Sequence, residues 1–255
     1  MQRRSFIAAT GAAAMGLASP NIARAQGASV LKFVPQADLA SVDPVWSTTL
    51  VTGMHSYLVW DRLYGLDEAL TPQLQMLSGA EVSDGGRTWT LTLRPGQLFH
   101  DGERVRAIDA VASIERTAKR GPLTGTMMAA TEELKALDDN RIQFRLKKPF
   151  PLLPRALCDV AVMPERIAKT DAFTQITEVV GSGPYKFVKD GWKAGSSVLY
   201  VKNDKYVPRS EPNDMYAGSL AANFDRVEWT IMPDPSTAAA ALQRGEIDWL
   251  DGPLI

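Results

Sequence analysis

Val227-Glu228-Trp229-Thr230-Ile231 is followed by Pro235, a run from Ala238 to Leu242, Gly245, and then Ile247-Asp248-Trp249-Leu250. The outer pieces read as strands. Between them, Pro235 suits a first helical turn, where a missing N–H costs no helical bond, and Gly245 is a natural stop. Strand, alanine-rich helix, glycine and strand make a βαβ unit, which predicts some parallel sheet covered by helices.

Working outward, strands are expected around Tyr185–Val188 and Val198–Val201, in a block that begins near Val179. The stretch Asn203–Asn223, with Pro208, Pro212 and Gly218, reads as the least regular mature segment. Far upstream, Val30-Leu31-Lys32-Phe33-Val34 is a short apolar strand, and a polar loop with Asp38, Ser41, Asp43 and Pro44 follows it. Leu50, Val51, Met54 and Leu58 then recur at helical spacing, with Thr48 or Thr49 placed to cap the start.

From about Asp61 the pattern changes to short strands and turns. Glu81-Val82 and Thr88–Leu93 flank Asp84-Gly85-Gly86, a hairpin signal because glycine accepts the positive φ of a tight turn. Trp89, Leu91 and Leu93 share one face of the second strand. Ile108, Val111, Ala112 and Ala118 mark a helix face, and Ile142, Phe144 and Leu146 an alternating strand. Arg104, Arg106, Arg116, Lys119 and Arg120 interleave with Glu103, Asp109 and Glu115, which reads as a solvated helix face.

The N-terminus reads as an address. Gln2-Arg3-Arg4-Ser5-Phe6-Ile7 opens a weakly apolar stretch, and Ala23-Arg24-Ala25 has the small-x-small form of a cleavage site. The paired arginines predict a twin-arginine signal peptide over residues 1–25, handled by the Tat translocase and signal peptidase. Removing it takes away Arg3, Arg4 and Arg24 and no acid, so 25 basic side chains face 29 acidic ones, a net charge of −4. That balance argues against nucleic acid as a partner, since phosphates demand a positive surface.

Catalytic signatures are absent from the sequence: no Gly-x-Ser-x-Gly, no phosphate-binding Gly-rich loop, no His-Glu-x-x-His and no Cys-x-x-Cys. Cys158 is the only cysteine and reads as a small core residue, while His55 and His100 stand alone without metal-ligand spacing. Gly181-Ser182-Gly183-Pro184 puts a serine between glycines, but no histidine follows it, so a rigid turn or hinge is the expectation. Met127-Met128 reads as core filler. Trp46, a large aromatic on a loop after a strand, is placed to stack on a ligand. No catalytic residue, metal ligand or cofactor is predicted.

The chain resembles the extracellular solute-binding proteins of family 5, the oligopeptide, dipeptide and nickel binding components of ABC importers. The resemblance is carried by Thr88-Trp89-Thr90-Leu91-Thr92-Leu93-Arg94-Pro95-Gly96, Phe99-His100-Asp101-Gly102, Ala107-Ile108-Asp109-Ala110-Val111, Gly181-Ser182-Gly183-Pro184-Tyr185, Asn203-Asp204-Lys205-Tyr206, Asn223-Phe224-Asp225-Arg226-Val227, Asp234-Pro235-Ser236 and Gly245-Glu246-Ile247-Asp248. It implies an α/β, periplasmic binding protein-like (type II) fold. Lobe I would be discontinuous and incomplete, over 28–60 plus 179–255, with an inserted α+β subdomain over 61–178 and the second lobe missing. It implies a periplasmic, non-enzymatic receptor that closes two lobes on a peptide or similar small solute and serves an inner-membrane ABC permease. The alternatives are an incomplete, non-functional fragment or half of a split binding protein, and a secreted hydrolase. Expected ligand-binding residues are Asp43, Trp46 and Ser47 in the loop after the first strand, and Gly181, Ser182 and Gly183 near the cleft.

Overall fold

A computed structural model describes residues 29–252; the expected signal peptide lies outside them. The chain opens with strand β1 (Val30–Val34) and helix α1 (Leu50–Val59). A small hairpin, β2 (Tyr64–Leu66) and β3 (Pro72–Leu74), precedes β4 (Leu77–Ser83) and β5 (Thr88–Leu93). Helices α2 (Ala107–Ala118) and α3 (Pro122–Ala130) lead to β6 (Thr131–Ala136) and β7 (Arg141–Leu146), followed by the short helices α4 (Leu153–Leu157) and α5 (Glu165–Ala168). Then come β8 (Tyr185–Lys193), β9 (Ser197–Lys202), β10 (Arg226–Thr230), α6 (Pro235–Gln243) and β11 (Trp249–Leu250).

The βαβ expectation holds: β10, α6 and β11 form the unit, and β1 lies between its strands, parallel to both. The full sheet runs β11-β1-β10-β9-β8, with β10, β9 and β8 antiparallel in turn. Asp234 caps α6 by accepting the Thr237 N–H at 2.7 Å, and Gly245 takes φ +69° after its last turn. A second sheet, β4-β5-β7-β6, is antiparallel throughout. Asp84, Gly85 and Gly86 all have positive φ between β4 and β5, which is why two glycines sit there.

Two large cores follow the two sheets. One packs Leu91, Ile142 and Phe144 against Ile114 and Met127. The other gathers Phe33, Trp60, Tyr200 and Trp229, and it also takes in Ala112, Ala161, Met163 and Ile167 from the stretch 61–178. The strands therefore sort cleanly by sheet, while the cores interlock.

Several expectations are corrected. On α1 the buried residues are Val51, Thr52, His55, Ser56 and Val59, and Leu50 is exposed. Polar residues can face inward there because each has a partner: His55 Nδ1 meets the Tyr200 hydroxyl at 2.8 Å, and Ser56 Oγ accepts from Arg62 Nη2 at 2.8 Å. Thr49 occupies the N-cap position, yet its hydroxyl bonds Ser47 and Thr52 rather than a backbone N–H.

The basic cluster is not wholly a solvated face either. Arg116 and Asp109 are buried, because each has a fixed set of bonding partners inside the fold. Asp109 Oδ1 accepts the Glu165 N–H at 2.8 Å and Oδ2 that of Arg106 at 2.8 Å.

The irregular stretch 203–223 is held down through its first part. Tyr206 donates to Asp61 Oδ2 at 3.2 Å, and Arg209 Nη1 donates to the Leu77 carbonyl at 2.9 Å. Gly65 lets the Tyr216 backbone pass, since a Cβ there would stand 2.0 Å from the Tyr216 oxygen. The Tyr216 ring then stacks on Tyr57 at 4.0 Å.

Candidate functional site

In an open α/β sheet, ligands sit in the crevice beyond the carboxyl ends of the parallel strands. Three segments arrive at that edge here: the loop after β1 (residues 35–49), the turn 231–234 after β10, and Asp251 after β11. The edge is pinned by the Asp251 N–H, which donates to the Val34 carbonyl at 2.9 Å.

Within the loop after β1, Asp43 is fully buried. Its Oδ1 accepts Arg116 Nη1 at 3.0 Å and the Val45 N–H at 2.9 Å, and its Oδ2 accepts Arg116 Nη2 at 2.7 Å and the Ile176 N–H at 3.0 Å. Burial alone would raise the carboxyl pKa, but the Arg116 hydrogen bonds and charge, with the backbone donors, outweigh it and the net shift is downward. Arg116 also donates to the Thr170 and Thr174 carbonyls, so a charge pair with four guanidinium hydrogen bonds shapes the loop.

Trp46 emerges from this base at 37 % exposure. The Arg120 guanidinium lies 5.0 Å from its ring centre and 5.3 Å from that of Phe173, and Arg120 also donates to the Val45 and Trp46 carbonyls. Phe173 is 63 % exposed, so this rim offers aromatic faces and a cation to solvent. Ser47 stands beside it, its hydroxyl 3.0 Å from that of Thr49.

Gly181, Ser182 and Gly183 lie elsewhere. The Gly183 N–H donates to the Val59 carbonyl at 2.8 Å, at the last residue of α1, whereas Asp43, Trp46 and Ser47 precede its first turn. A ten-residue helix is about 15 Å long, so the structure does not bring the two groups together. The turn is instead a packed junction. A Cβ on Gly181 would stand 2.0 Å from the Val59 oxygen, and one on Gly183 would be 2.7 Å from it.

His100 completes the junction. Its Nδ1 accepts the Gly181 N–H at 3.3 Å, which leaves Nε2 to carry the proton and donate to the Gly183 carbonyl at 3.1 Å. Burial lowers its pKa to about 4 despite the bond to Gly183, and burial lowers that of His55 to about 3. Burial likewise pushes the Cys158 thiol up to about 12, which keeps it protonated.

The sequence reading put Arg116 and Arg120 on a solvated helix face and did not single out Phe173. Arg116 lies one helical turn after Ala112, so the periodicity of α2 already put it on an inward face. Arg120 and Phe173 meet Trp46 through a tertiary contact that leaves no local pattern.

Elsewhere, a cleft of about 200 Å³ is lined by Asp84, Arg87, Glu132 and Arg145. Its charges pair with one another, Arg87 with Asp84 at 2.6 Å and Arg145 with Glu132 at 3.2 Å. Among the described residues, no group of three or more His, Cys, Asp or Glu could hold a metal ion, and no helix is long and apolar enough to cross a membrane.

Comparison with known proteins points one way. Residues 71–255 match the family model described as bacterial extracellular solute-binding proteins, family 5 Middle. A probable peptide ABC transporter periplasmic-binding protein of Sinorhizobium fredii is 39 % identical over the whole chain, which covers 49 % of that relative. The periplasmic binding protein DppA of Helicobacter pylori, solved in complex with the peptide STSA, superposes with a TM-score of 0.71 at 25 % identity, over 88 % of this chain and 46 % of that one. NikZ of Campylobacter jejuni, solved with Ni(L-His), gives 0.68 at 23 % identity over 86 % and 42 %. The chain thus spans about half the length of the relatives it matches.

Proposed function

The chain belongs to the bacterial extracellular solute-binding proteins of family 5, and from that premise we propose that it supplies the sheet-bearing jaw of a periplasmic receptor that hands peptides or similar small solutes to an inner-membrane ABC permease. The observation that supports this reading is that three loops leave the carboxyl ends of the adjacent parallel strands β10, β1 and β11, the loop after β1 carrying the exposed Trp46 beside Arg120 and Phe173.

Ligand would lie on that edge, with Trp46 and Ser47 at the contact surface and Asp43 holding the loop in shape beneath them. Gly181, Ser182 and Gly183 would serve the junction at the far end of α1. Residues 28–60 plus 179–255 would form the jaw and 61–178 the inserted subdomain, a division supported by the way the strands sort between the two sheets. In the whole protein a bridging ligand favours the closed form by its extra affinity for that form, and no bond in the ligand is broken. Export through the Tat translocase and cleavage by signal peptidase after Ala25 would deliver the protein to the periplasm.

The test is native mass spectrometry of the chain with a mixture of short peptides. Weak, reversible adducts of intact peptide support the receptor; cleaved peptide would make it a hydrolase.

A further inference from the structure

Ser182 is 5 % exposed, and its hydroxyl oxygen is buried with no hydrogen-bond partner in the chain. It lines a small cavity with Asp61, Arg94, Lys205 and Tyr206, in which about 10 Å³ is open to a water centre. Asp61 is 3 % exposed. Its Oδ1 accepts the Arg62 N–H at 2.9 Å and its Oδ2 the Tyr206 hydroxyl at 3.2 Å, which leaves further lone pairs on both oxygens.

A buried hydroxyl without a partner is destabilising, and the group that relieves it must accept or donate at Ser182; the Asp61 carboxylate, which lines the same cavity, can accept a bond from that group. The volume admits a single water and nothing larger. The lining carries charge of both signs, Asp61 against Arg94 and Lys205, which favours a neutral dipole over a simple ion.

We propose that this cavity is a binding site for one water molecule, bonded to Ser182 Oγ and to the Asp61 carboxylate. The water adds to the direct bonds among three segments: the connection from α1 to β2 at Asp61, the Gly181–Gly183 turn, and the stretch 203–223, whose Asn203 donates to the Gly183 carbonyl at 3.0 Å and whose Tyr206 donates to Asp61. It also gives the serine of the Gly-Ser-Gly motif a use that a bare turn would not require.

Water-oxygen magnetic relaxation dispersion counts long-lived internal waters in solution. The Ser182→Val chain, whose extra methyl fills the cavity, is expected to hold one fewer than the unaltered chain; equal counts would overturn the proposal. A high-resolution crystal structure of the unaltered chain is the second measurement and decides alone if the variant does not fold. Density for one water within hydrogen-bond distance of both Ser182 and Asp61 supports the site, and a dry cavity or a bound ion contradicts it.

Discussion

Arg116 on α2 grips Asp43 in the loop after β1 through two parallel hydrogen bonds, 3.0 and 2.7 Å long, with side chains 2 % and 0 % exposed. The pair joins a helix next to the antiparallel sheet with a loop of the mixed sheet, 73 residues apart. It is thus a tie between the two halves of the fold.

Removing one partner strands the other charge in the interior. Arg116→Met is expected to destabilise the chain by about 3–5 kcal/mol, read from the urea midpoint, and Asp43→Asn by a similar amount. Arg116→Lys recovers little, because an ammonium cannot make the paired contact. A change near zero for Arg116→Met would show that the pair holds nothing together.

The two histidines set the acid limb. Each has a folded pKa below its unfolded value of about 6.5, so the unfolded chain binds more protons as the pH drops. Stability is fully present above about pH 6.5 and falls through the window down to the folded values, about 4 for His100 and about 3 for His55. Asp43, with its pKa lowered from 3.8, adds a further loss only below that value. Urea midpoints taken from pH 7 to pH 4 should therefore decline steadily, and His100→Gln should flatten the decline. A level profile over that range would contradict the buried, neutral histidines.

Glycines separate by what surrounds them. Gly181→Ala forces a Cβ to within 2.0 Å of the Val59 oxygen and should cost about 1–3 kcal/mol, toward the upper end because backbone has to move. Gly53→Ala, inside α1 with nothing within 4 Å of the new Cβ, should stabilise by about 0.5–1 kcal/mol. Thermal melts of the two variants should move in opposite directions.

Much of this fold is written in local pattern. The βαβ unit, the strands Val30–Val34 and Arg141–Leu146 and the Asp84-Gly85-Gly86 turn follow from periodicity and glycine chemistry, which act within a few residues. The short helices Leu153–Leu157 and Glu165–Ala168 and the strand Thr131–Ala136 were not legible, since too few turns or alternations exist to set a period. Buried Asp43, His55, Asp109 and Arg116 were hidden for another reason. A polar side chain faces inward only when a partner waits there, and each partner comes from a distant part of the chain. The placing of Asp43 and Gly181 at opposite ends of α1 is likewise a property of the assembled sheet.

Trp46 separates binding from folding. Its 37 % exposure and its contact with Arg120 mean that Trp46→Ala should lower stability only modestly, by about 1 kcal/mol read from the urea midpoint. It should weaken peptide binding roughly tenfold, about 1.4 kcal/mol, in a titration followed by calorimetry. A large stability loss with unaltered binding would move Trp46 from the ligand surface to the scaffold.

The most direct test of the receptor reading is an amide chemical-shift map of the chain titrated with short peptides. Perturbations are expected in residues 35–49, in 231–234 and at Asp251, along the carboxyl edge of β1, β10 and β11, with the peptides recovered intact. Shifts centred on Gly181–Gly183 at the opposite end of α1, or the appearance of cleaved peptide, would contradict it.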